Sequence, residues 1–209
     1  MSLLFELPVP TLPDAAKDLV VLRDVSARAE GRWLFQPLNL RLGRQRLAVI
    51  GPNGAGKTTL LEIMLGRRTP TTGSAFRDLS RIGAIEQGGA DWMLDDTLLA
   101  YLSLQGPSGA TEDVAKLLVV HKFPLALAER PMRSLSPGER ARAALICLLR
   151  RSPAVELLVL DEPTYSLDLI GQRAMTNALR AWPGGLVVAS HDRAFLSAIC
   201  MGAFIELGP

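Results

Sequence analysis

A glycine-rich segment, Gly51 to Thr58, has the residue types that bind phosphate groups. It reads Gly-Pro-Asn-Gly-Ala-Gly-Lys-Thr and matches the pattern G-x-x-x-x-G-K-[ST] in full. The glycines let successive backbone N–H groups point into one concavity, and a following helix adds its positive N-terminus. Lys57 can reach the β- and γ-phosphates, while the Thr58 hydroxyl can ligate Mg²⁺. The predicted nucleotide-binding residues are Gly51, Pro52, Asn53, Gly54, Ala55, Gly56, Lys57, Thr58 and Thr59.

Two carboxylates, Asp161 and Glu162, directly follow the apolar run Leu157 to Leu160. If that run is a strand of an open α/β sheet, the carboxylates lie at the edge where such sheets bind ligands. Asp161 is then predicted to hold the Mg²⁺ shell, and Glu162 to polarise the attacking water. A strand ending in Asp-Glu-Pro is often only a strand stop. The complete phosphate-binding segment earlier in the chain favours the Mg²⁺ interpretation.

Short apolar runs alternate with helical patterns along the chain. The runs are apolar on both faces, which is typical of a mostly parallel sheet covered by helices. Asp91 to about Pro131 carries leucines at helical spacing, and Gly66 is expected to end the helix after the phosphate-binding segment. The predicted strands are Leu19–Leu22, Arg46–Ile50, Arg81–Glu86, Leu157–Leu160 and Leu186–Ala189. The predicted helices are Lys57–Leu65, Glu139–Arg150, Ile170–Ala181 and Arg193–Cys200.

Composition excludes several classes of protein. The 209 residues are 48% hydrophobic and carry a formal net charge of +2, too little to indicate nucleic-acid binding. No apolar run approaches the roughly 18 residues that span a bilayer, and the proline-interrupted start is no secretory signal. Cys147 and Cys200 lack metal-site spacing and are expected to be buried, in a reducing cytosol. His121 is expected at the surface.

The combination of these motifs resembles the ATP-binding cassette (ABC) ATPases. Leu135–Arg140 reads Leu-Ser-Pro-Gly-Glu-Arg and is similar to the family's signature LSGGQ. From its residues alone, Ser136 and Glu139 form an S-x-x-E capping box with Pro137 at the first helical position. The resemblance implies that Ser136 and Gly138 grip the γ-phosphate bound to a facing cassette.

Three further positions acquire roles only through this resemblance. Gln87 looks like the Q-loop glutamine, which contacts Mg²⁺ and the water. Ser166-Leu167-Asp168 resembles the D-loop, and Asp168 is carried over as a nucleotide-site residue. His191, in Ser190-His191-Asp192, resembles the switch histidine that contacts the γ-phosphate. The implied catalytic residues are therefore Glu162, His191 and Gln87, and the implied metal-site residues are Thr58, Gln87 and Asp161.

The family also implies a fold: an α/β P-loop NTPase domain with a mostly parallel sheet, flanking helices, an antiparallel β-subdomain and a small helical subdomain. The corresponding division of this chain is an extended lead-in at 1–18, an ATP-binding core at 19–90 and 136–209, and a helical subdomain at 91–135. The implied ligands are ATP and Mg²⁺. Hydrolysis at the interface of two cassettes, in a homodimer or within one longer chain, would drive a conformational switch.

Two departures from the family pattern concern nucleotide contacts. Pro137 replaces the first glycine of the signature, which removes a backbone donor. The family usually stacks an aromatic residue on adenine, but this chain has Arg28-Ala29-Glu30 in that stretch. Trp33, Phe35 or the guanidinium plane of Arg28 are the candidates for that role. Core packing is the interpretation that we favour for these side chains.

Several stretches are similar to the ABC-F subfamily, whose members act on the ribosome in the cytoplasm. They include Asp161–Thr164, the LSxGER form of the signature, and Trp182–Leu196. The short spacing from Gln87 to Leu135 leaves no room for the long arm that many first cassettes carry, which favours a second-cassette-like unit. Tyr165-Ser166 departs from the Asn-His that ABC-F proteins usually carry. The alternative is the ATP-binding subunit of a membrane transporter, docked on a transmembrane permease. Neither interpretation predicts insertion into the membrane or sequence-specific nucleic-acid binding.

Overall fold

The computed structural model describes residues 18–85, 95–105, 111–150, 155–165, 167–199 and 201–208. Residues 1–17 of the predicted lead-in lie outside this range, as do Gln87, Ser166 and Cys200. The chain forms two compact units, which we call the sheet unit and the helical unit. Of the described residues, the sheet unit comprises 18–84, 155–162, 184–199 and 201–208. The helical unit comprises 85, 95–105, 111–150, 163–165 and 167–183.

A five-stranded parallel sheet is the centre of the sheet unit. Its strand order is β5-β6-β7-β3-β8, in which β3 pairs in parallel with β7 and β8, and β6 with β7. All five residues of β7 are buried, as are four of the five in β6, which agrees with their uninterrupted apolar sequence. The strands are β3 (Arg46–Ile50), β5 (Ile82–Ile85), β6 (Leu157–Asp161), β7 (Gly185–Ala189) and β8 (Ala203–Glu206).

A second sheet is antiparallel, with the order β2-β1-β4. Only its first strand is predicted from the sequence, over Leu19–Leu22, and it extends well beyond that run. The two outer strands alternate polar and apolar residues or are largely exposed, and so lack the continuous apolar run that marks the parallel strands. The antiparallel subdomain implied by the family resemblance is present. Its strands are β1 (Val20–Ala29), β2 (Arg32–Leu42) and β4 (Thr72–Arg77).

Helix α1 (Lys57–Met64) follows the phosphate-binding segment and ends as predicted. Gly66 has a φ of 72°, and its N–H donates to Ile63 O at 3.2 Å. The Arg67 N–H donates to Glu62 O at 2.9 Å. This pair of bonds is a Schellman motif, for which glycine is preferred because it enters the left-handed region without steric cost.

A buried ion pair holds the start of β6. The Glu156 side chain is 5% exposed, and Arg81 Nε and Arg44 Nε donate to its two carboxylate oxygens at 2.7 and 3.2 Å. A further bond from Arg81 Nη2 also reaches Oε1, and together these charge-assisted bonds satisfy a carboxylate that would otherwise be costly to bury. The strand is therefore anchored at the end opposite to Asp161 and Glu162.

The helical unit has its own apolar core, which includes Leu98, Leu102, Leu118 and Met132. Cys147 is buried in this core as predicted, and burial raises the pKa of its thiol to about 12. None of the helices in the described part of the chain has the length and apolar character needed to cross a membrane. The helices are α2 (Leu98–Gln105), α3 (Thr111–Val120), α4 (Leu125–Ala128), α5 (Pro137–Arg150) and α6 (Leu169–Ala181); α7 (Arg193–Ala198) belongs to the sheet unit.

His121 is buried, with no exposed surface, so the surface prediction for it is wrong. Its N–H donates to Leu117 O at 3.0 Å, which continues α3 by one residue. Lys122 then adopts a φ of 49° and turns the chain, so that the Phe123 N–H returns to Leu118 O at 2.8 Å. This turn places the imidazole inside. Burial and the positive charge of Arg142 lower its pKa to about 4.

The depressed pKa of His121 predicts a loss of stability in acid. An unfolded histidine titrates near pH 6.5, so between about pH 6.5 and 4 the unfolded chain binds a proton that the folded chain excludes. We expect the free energy of unfolding to fall by about 1–2 kcal/mol between pH 7 and pH 5 from this group alone. Urea unfolding of the wild type and of His121→Leu at both pH values measures it. An equal loss in both proteins would contradict the prediction.

Candidate functional site

The phosphate-binding segment connects β3 to α1 in the sheet unit. Gly51 has a φ of 148°, and a Cβ there would lie 2.3 Å from Leu207 O. Gly56 has a φ of 93°, and a Cβ there would lie 2.8 Å from the Leu34 Cβ. Both positions exclude a side chain by backbone conformation and by space. The glycines in the pattern are therefore required by close packing against β2 and against the residue that follows β8.

Lys57 and Thr58 open helix α1 from this segment. Lys57 is buried, and its Nζ donates to Gly51 O at 2.8 Å and to Pro52 O at 3.1 Å. The ammonium group therefore lies within the curl of the segment, where the N-terminus of α1 also directs its positive dipole. Thr59, also predicted as a nucleotide-site residue, has a buried side chain that accepts a hydrogen bond from Arg68 at 3.4 Å.

Thr58 and Asp161 meet although they are far apart in the sequence. The Thr58 hydroxyl donates to Asp161 Oδ2 at 2.6 Å. Burial raises the pKa of Asp161, an effect that the bond from Thr58 opposes. A hydroxyl and a carboxylate are the hard oxygen ligands that Mg²⁺ prefers, and it commonly takes only one or two protein ligands beside phosphate and water. The pair therefore fits Mg²⁺. Among the described residues, no cluster of three or more His, Cys, Asp or Glu side chains could hold a metal.

The N–H and both carboxylate oxygens of Glu162 contact residues at the end of the neighbouring strand β7 or directly after it. Its N–H donates to Ala189 O at 2.9 Å, and the Ser190 hydroxyl donates to its Oε2 at 3.2 Å. His191 Nδ1 lies 3.0 Å from its Oε1. Glu162 has a φ of 43°, a left-handed conformation that is uncommon for any residue other than glycine. The parallel pairing of Asp161 with Ala189 explains how these residues come together.

The helical unit carries the remaining predicted residues at two helix N-termini. The Glu139 N–H donates to Ser136 Oγ at 3.3 Å, and the Ser136 N–H donates to Glu139 Oε2 at 2.7 Å, so the predicted capping box at the start of α5 is confirmed. Asp168 caps α6, accepting from the Gly171 N–H at 2.7 Å. A Cβ on Gly138 would lie 3.5 Å from the Gly171 Cα. The signature segment and the D-loop segment are thus neighbours within this unit.

The structure revises the candidates for base stacking. Phe35 is buried in the core of the sheet unit, as predicted. Trp33 is 42% exposed, so core packing is the wrong interpretation for it, and the Arg28 guanidinium lies 4.4 Å from the centroid of its ring. Sequence reasoning missed Arg32, whose guanidinium lies 3.9 Å from where a Cβ on Gly54 would be. It also gave no role to Ser190, although the serine adjoins His191.

Comparison with known proteins identifies relatives of this chain. The family model described as ABC transporter matches residues 35–165. "ABC transporter F family member 4" of Arabidopsis thaliana is 34% identical over 208 residues, covering 95% of this chain and 28% of that protein. The "Energy-dependent translational throttle protein EttA" of Mycobacterium tuberculosis is 34% identical over 206 residues, covering 93% of this chain and 36% of that protein. The chain thus spans about a third of each of these relatives.

Solved structures share the fold at lower sequence identity. A dimeric bacterial ABC transporter cassette superposes with a TM-score of 0.73 at 20% identity, covering 90% of this chain and 94% of that one. A dimeric cassette in a post-hydrolysis state with ADP and Pi superposes with a TM-score of 0.71 at 21% identity, with the same coverage of both chains. These superpositions establish the cassette fold.

Replacing Asp161 by Asn tests the metal site. The amide keeps an oxygen for the Thr58 hydroxyl but loses the charge that attracts Mg²⁺. We expect ATP binding in the presence of Mg²⁺ to weaken about tenfold, while binding in EDTA stays unchanged. Titration calorimetry under both conditions measures this. The matched control is Asp78→Asn, a half-buried carboxylate in the turn before β5. A weakening that is equal with and without Mg²⁺ would exclude the role of Asp161.

The relative affinities for ATP and GTP test whether the stacked side chains of Arg28 and Trp33 bind the nucleotide base. Stacking on an indole or a guanidinium favours every base, so we expect ATP and GTP to bind with affinities within about tenfold of each other. We expect Trp33→Ala to weaken both by a similar factor. A nucleotide panel measures this, with Phe76→Ala as the control, because Phe76 is an exposed aromatic residue of the same antiparallel sheet. A strong preference for ATP over GTP would contradict the prediction that Arg28 and Trp33 stack on any base without distinguishing adenine from guanine.

Proposed function

Because this chain belongs to the ABC transporter family, we propose that it binds ATP with Mg²⁺ and hydrolyses it to drive a conformational switch. The observation that carries the proposal is the convergence of five predicted residues in the sheet unit. Thr58 contacts Asp161, Glu162 lies beside His191, and Lys57 lies within the curl of the glycine-rich segment. This grouping at one edge of the sheet supports our assignment of Lys57 to phosphate, of Thr58 and Asp161 to the metal and of Glu162 as the base.

In the proposed phosphoryl transfer, each site residue has a separate role. Lys57 and the backbone N–H groups of the glycine-rich segment hold the β- and γ-phosphates, while Thr58 and Asp161 hold Mg²⁺, which neutralises phosphate charge when bound. Glu162 orients a water molecule and accepts its proton. The water oxygen then bonds to the γ-phosphorus as the bond to the bridging oxygen breaks, giving ADP and inorganic phosphate. In this proposal His191, beside Glu162, would contact the γ-phosphate. The family resemblance implies that Gln87, which lies outside the described residues, would contact the water and Mg²⁺.

A second cassette completes this site in our proposal. The signature residues Ser136 and Gly138, together with Asp168, lie in the helical unit at helix N-termini, which favour anions. We propose that they face the ATP bound to another cassette, in a homodimer or within a longer chain. A two-fold arrangement makes both sites equivalent. ATP would then favour the closed pair because it contacts both faces, and hydrolysis would release it.

We propose an ABC-F-like factor that acts on the ribosome in the cytoplasm. Support comes from the relatives, which are named as F family members and as a translational throttle protein and match over more than nine-tenths of this chain. The motif similarities in the signature and near His191 point the same way. The alternative is a transporter subunit on a transmembrane permease, and it is an outcome of the test below.

Replacing Glu162 by Gln tests hydrolysis and pairing together. The amide keeps the shape of the side chain but cannot accept the proton of the water. We expect the rate of phosphate release to fall on the order of 10²–10⁴-fold, while ATP binding is retained. Size-exclusion chromatography should then detect an ATP-dependent pair, with monomer in nucleotide-free buffer. Constitutive pairing without nucleotide would contradict ATP gating.

The same variant separates the two cellular roles. We expect Glu162→Gln loaded with ATP to co-sediment with 70S or 80S ribosomes through a sucrose cushion. The matched control is the double variant Lys57→Ala, Glu162→Gln, which should stay in the supernatant because it loses the phosphate contacts. ATP-dependent pairing without ribosome binding would exclude the ABC-F role and favour the transporter subunit. No hydrolysis by the wild type would exclude the proposed reaction.

A further inference from the structure

Ser190 holds the carboxylate of Glu162 from inside the protein. Its side chain has no exposed surface, and its hydroxyl donates to Glu162 Oε2 at 3.2 Å. The same hydroxyl accepts a hydrogen bond from the Asp192 N–H at 3.1 Å. The bond from Asp192 uses one lone pair of the hydroxyl oxygen and leaves its proton free to be donated to Glu162. The serine is thus a buried and oriented donor.

His191, the other side chain that contacts Glu162, differs from Ser190 in its freedom to move. The His191 side chain is 68% exposed, whereas Glu162 is 13% exposed and Ser190 is buried. The Ser190 N–H also donates to Val49 O at 3.4 Å, which ties the serine to β3. One carboxylate oxygen of Glu162 therefore contacts a surface side chain that solvent and ligand can reach. The other contacts a group fixed in the sheet.

The left-handed backbone conformation of Glu162 explains what the hydrogen bond from Ser190 contributes. A non-glycine residue in the left-handed region costs on the order of 1–3 kcal/mol and persists only where its surroundings determine it. The Ala189 carbonyl fixes the N–H of Glu162, but the side chain still has its own rotamers. The hydrogen bond that the Ser190 hydroxyl donates to Oε2 stabilises one of these rotamers. Catalysis is sensitive to such selection, since a misplacement of about 1 Å can lower a rate by 10²-fold.

We propose that Ser190 is a positioning residue for ATP hydrolysis: it anchors Glu162 Oε2 and leaves Oε1 for His191 and the attacking water. This inference rests on the proposed function of Glu162 as the base. It assigns no contact with nucleotide to Ser190. Loss of the hydroxyl therefore affects the chemical step and leaves ATP binding intact.

Ser190→Ala tests the proposal by steady-state kinetics. We expect kcat to fall about tenfold, as for loss of a hydrogen bond to a charged group, with KM for ATP unchanged within about twofold. The matched control is Ser26→Ala, which removes another fully buried hydroxyl, bonded to Thr72 Oγ1 at 2.6 Å in the antiparallel sheet. The control should keep kcat. An unchanged kcat in Ser190→Ala would overturn the proposal.

A double-mutant cycle separates positioning from a structural role. If Ser190 acts through Glu162, then Ser190→Ala adds no further loss of rate in the Glu162→Gln background. A tenfold loss in both backgrounds would show that the hydroxyl matters only through the Asp192 N–H, and would overturn the proposal.

A crystal structure of Ser190→Ala gives a readout that does not depend on activity. We expect the Glu162 carboxylate to leave its contact with His191, while the Glu162 N–H keeps its bond to Ala189. An unmoved carboxylate would overturn the positioning role. If the wild type shows no ATP hydrolysis, the proposed function fails, and this structure alone then decides whether Ser190 places Glu162.

Discussion

The parallel pairing of β6 with β7 is the constraint on which the site depends. Asp161 lies opposite Ala189 in this ladder, and the next bond, from the Glu162 N–H to Ala189 O, continues it beyond the strand. Because both strands run in the same direction, the residues that follow each of them emerge at one edge of the sheet. A shift of one residue would turn each side chain to the opposite face and separate Glu162 from His191.

Side-chain interactions at both ends of β6 hold the strand in place. At the start of β6, Glu156 is bonded to Arg44 and Arg81, so the strand is fixed at its N-terminal end. At the other end, the Thr58 hydroxyl ties Asp161 to helix α1. The strand that carries Asp161 and Glu162 is therefore anchored at both of its ends, and such preorganisation suits phosphoryl transfer, to which a protein contributes chiefly by positioning charge.

Elements with a local sequence pattern were predictable, and elements that depend on pairing with distant strands were not. Strands β3, β6 and β7 are apolar on both faces and were predictable almost to the residue, as was the end of α1 at Gly66. Strands β2 and β4 were not, because their exposed or alternating residues become strand only by pairing with β1. The surface prediction for His121 failed for a similar reason. The chain turns at Lys122 in a left-handed conformation, and the sequence has no glycine there that would have indicated the turn.

The sequence by itself determined the residue types of the candidate site: the glycine-rich segment, the two carboxylates and the capped helix that begins after Ser136 are local motifs, whereas His191 acquired its role through the family resemblance. Tertiary structure decided which atoms meet. It brought Thr58 to Asp161, it aligned Glu162 with Ser190 and His191, and it left Trp33 exposed beside Arg28 while burying Phe35. These contacts join residues on different strands and helices, and only the pairing register and the packing of the sheet set the distances between them.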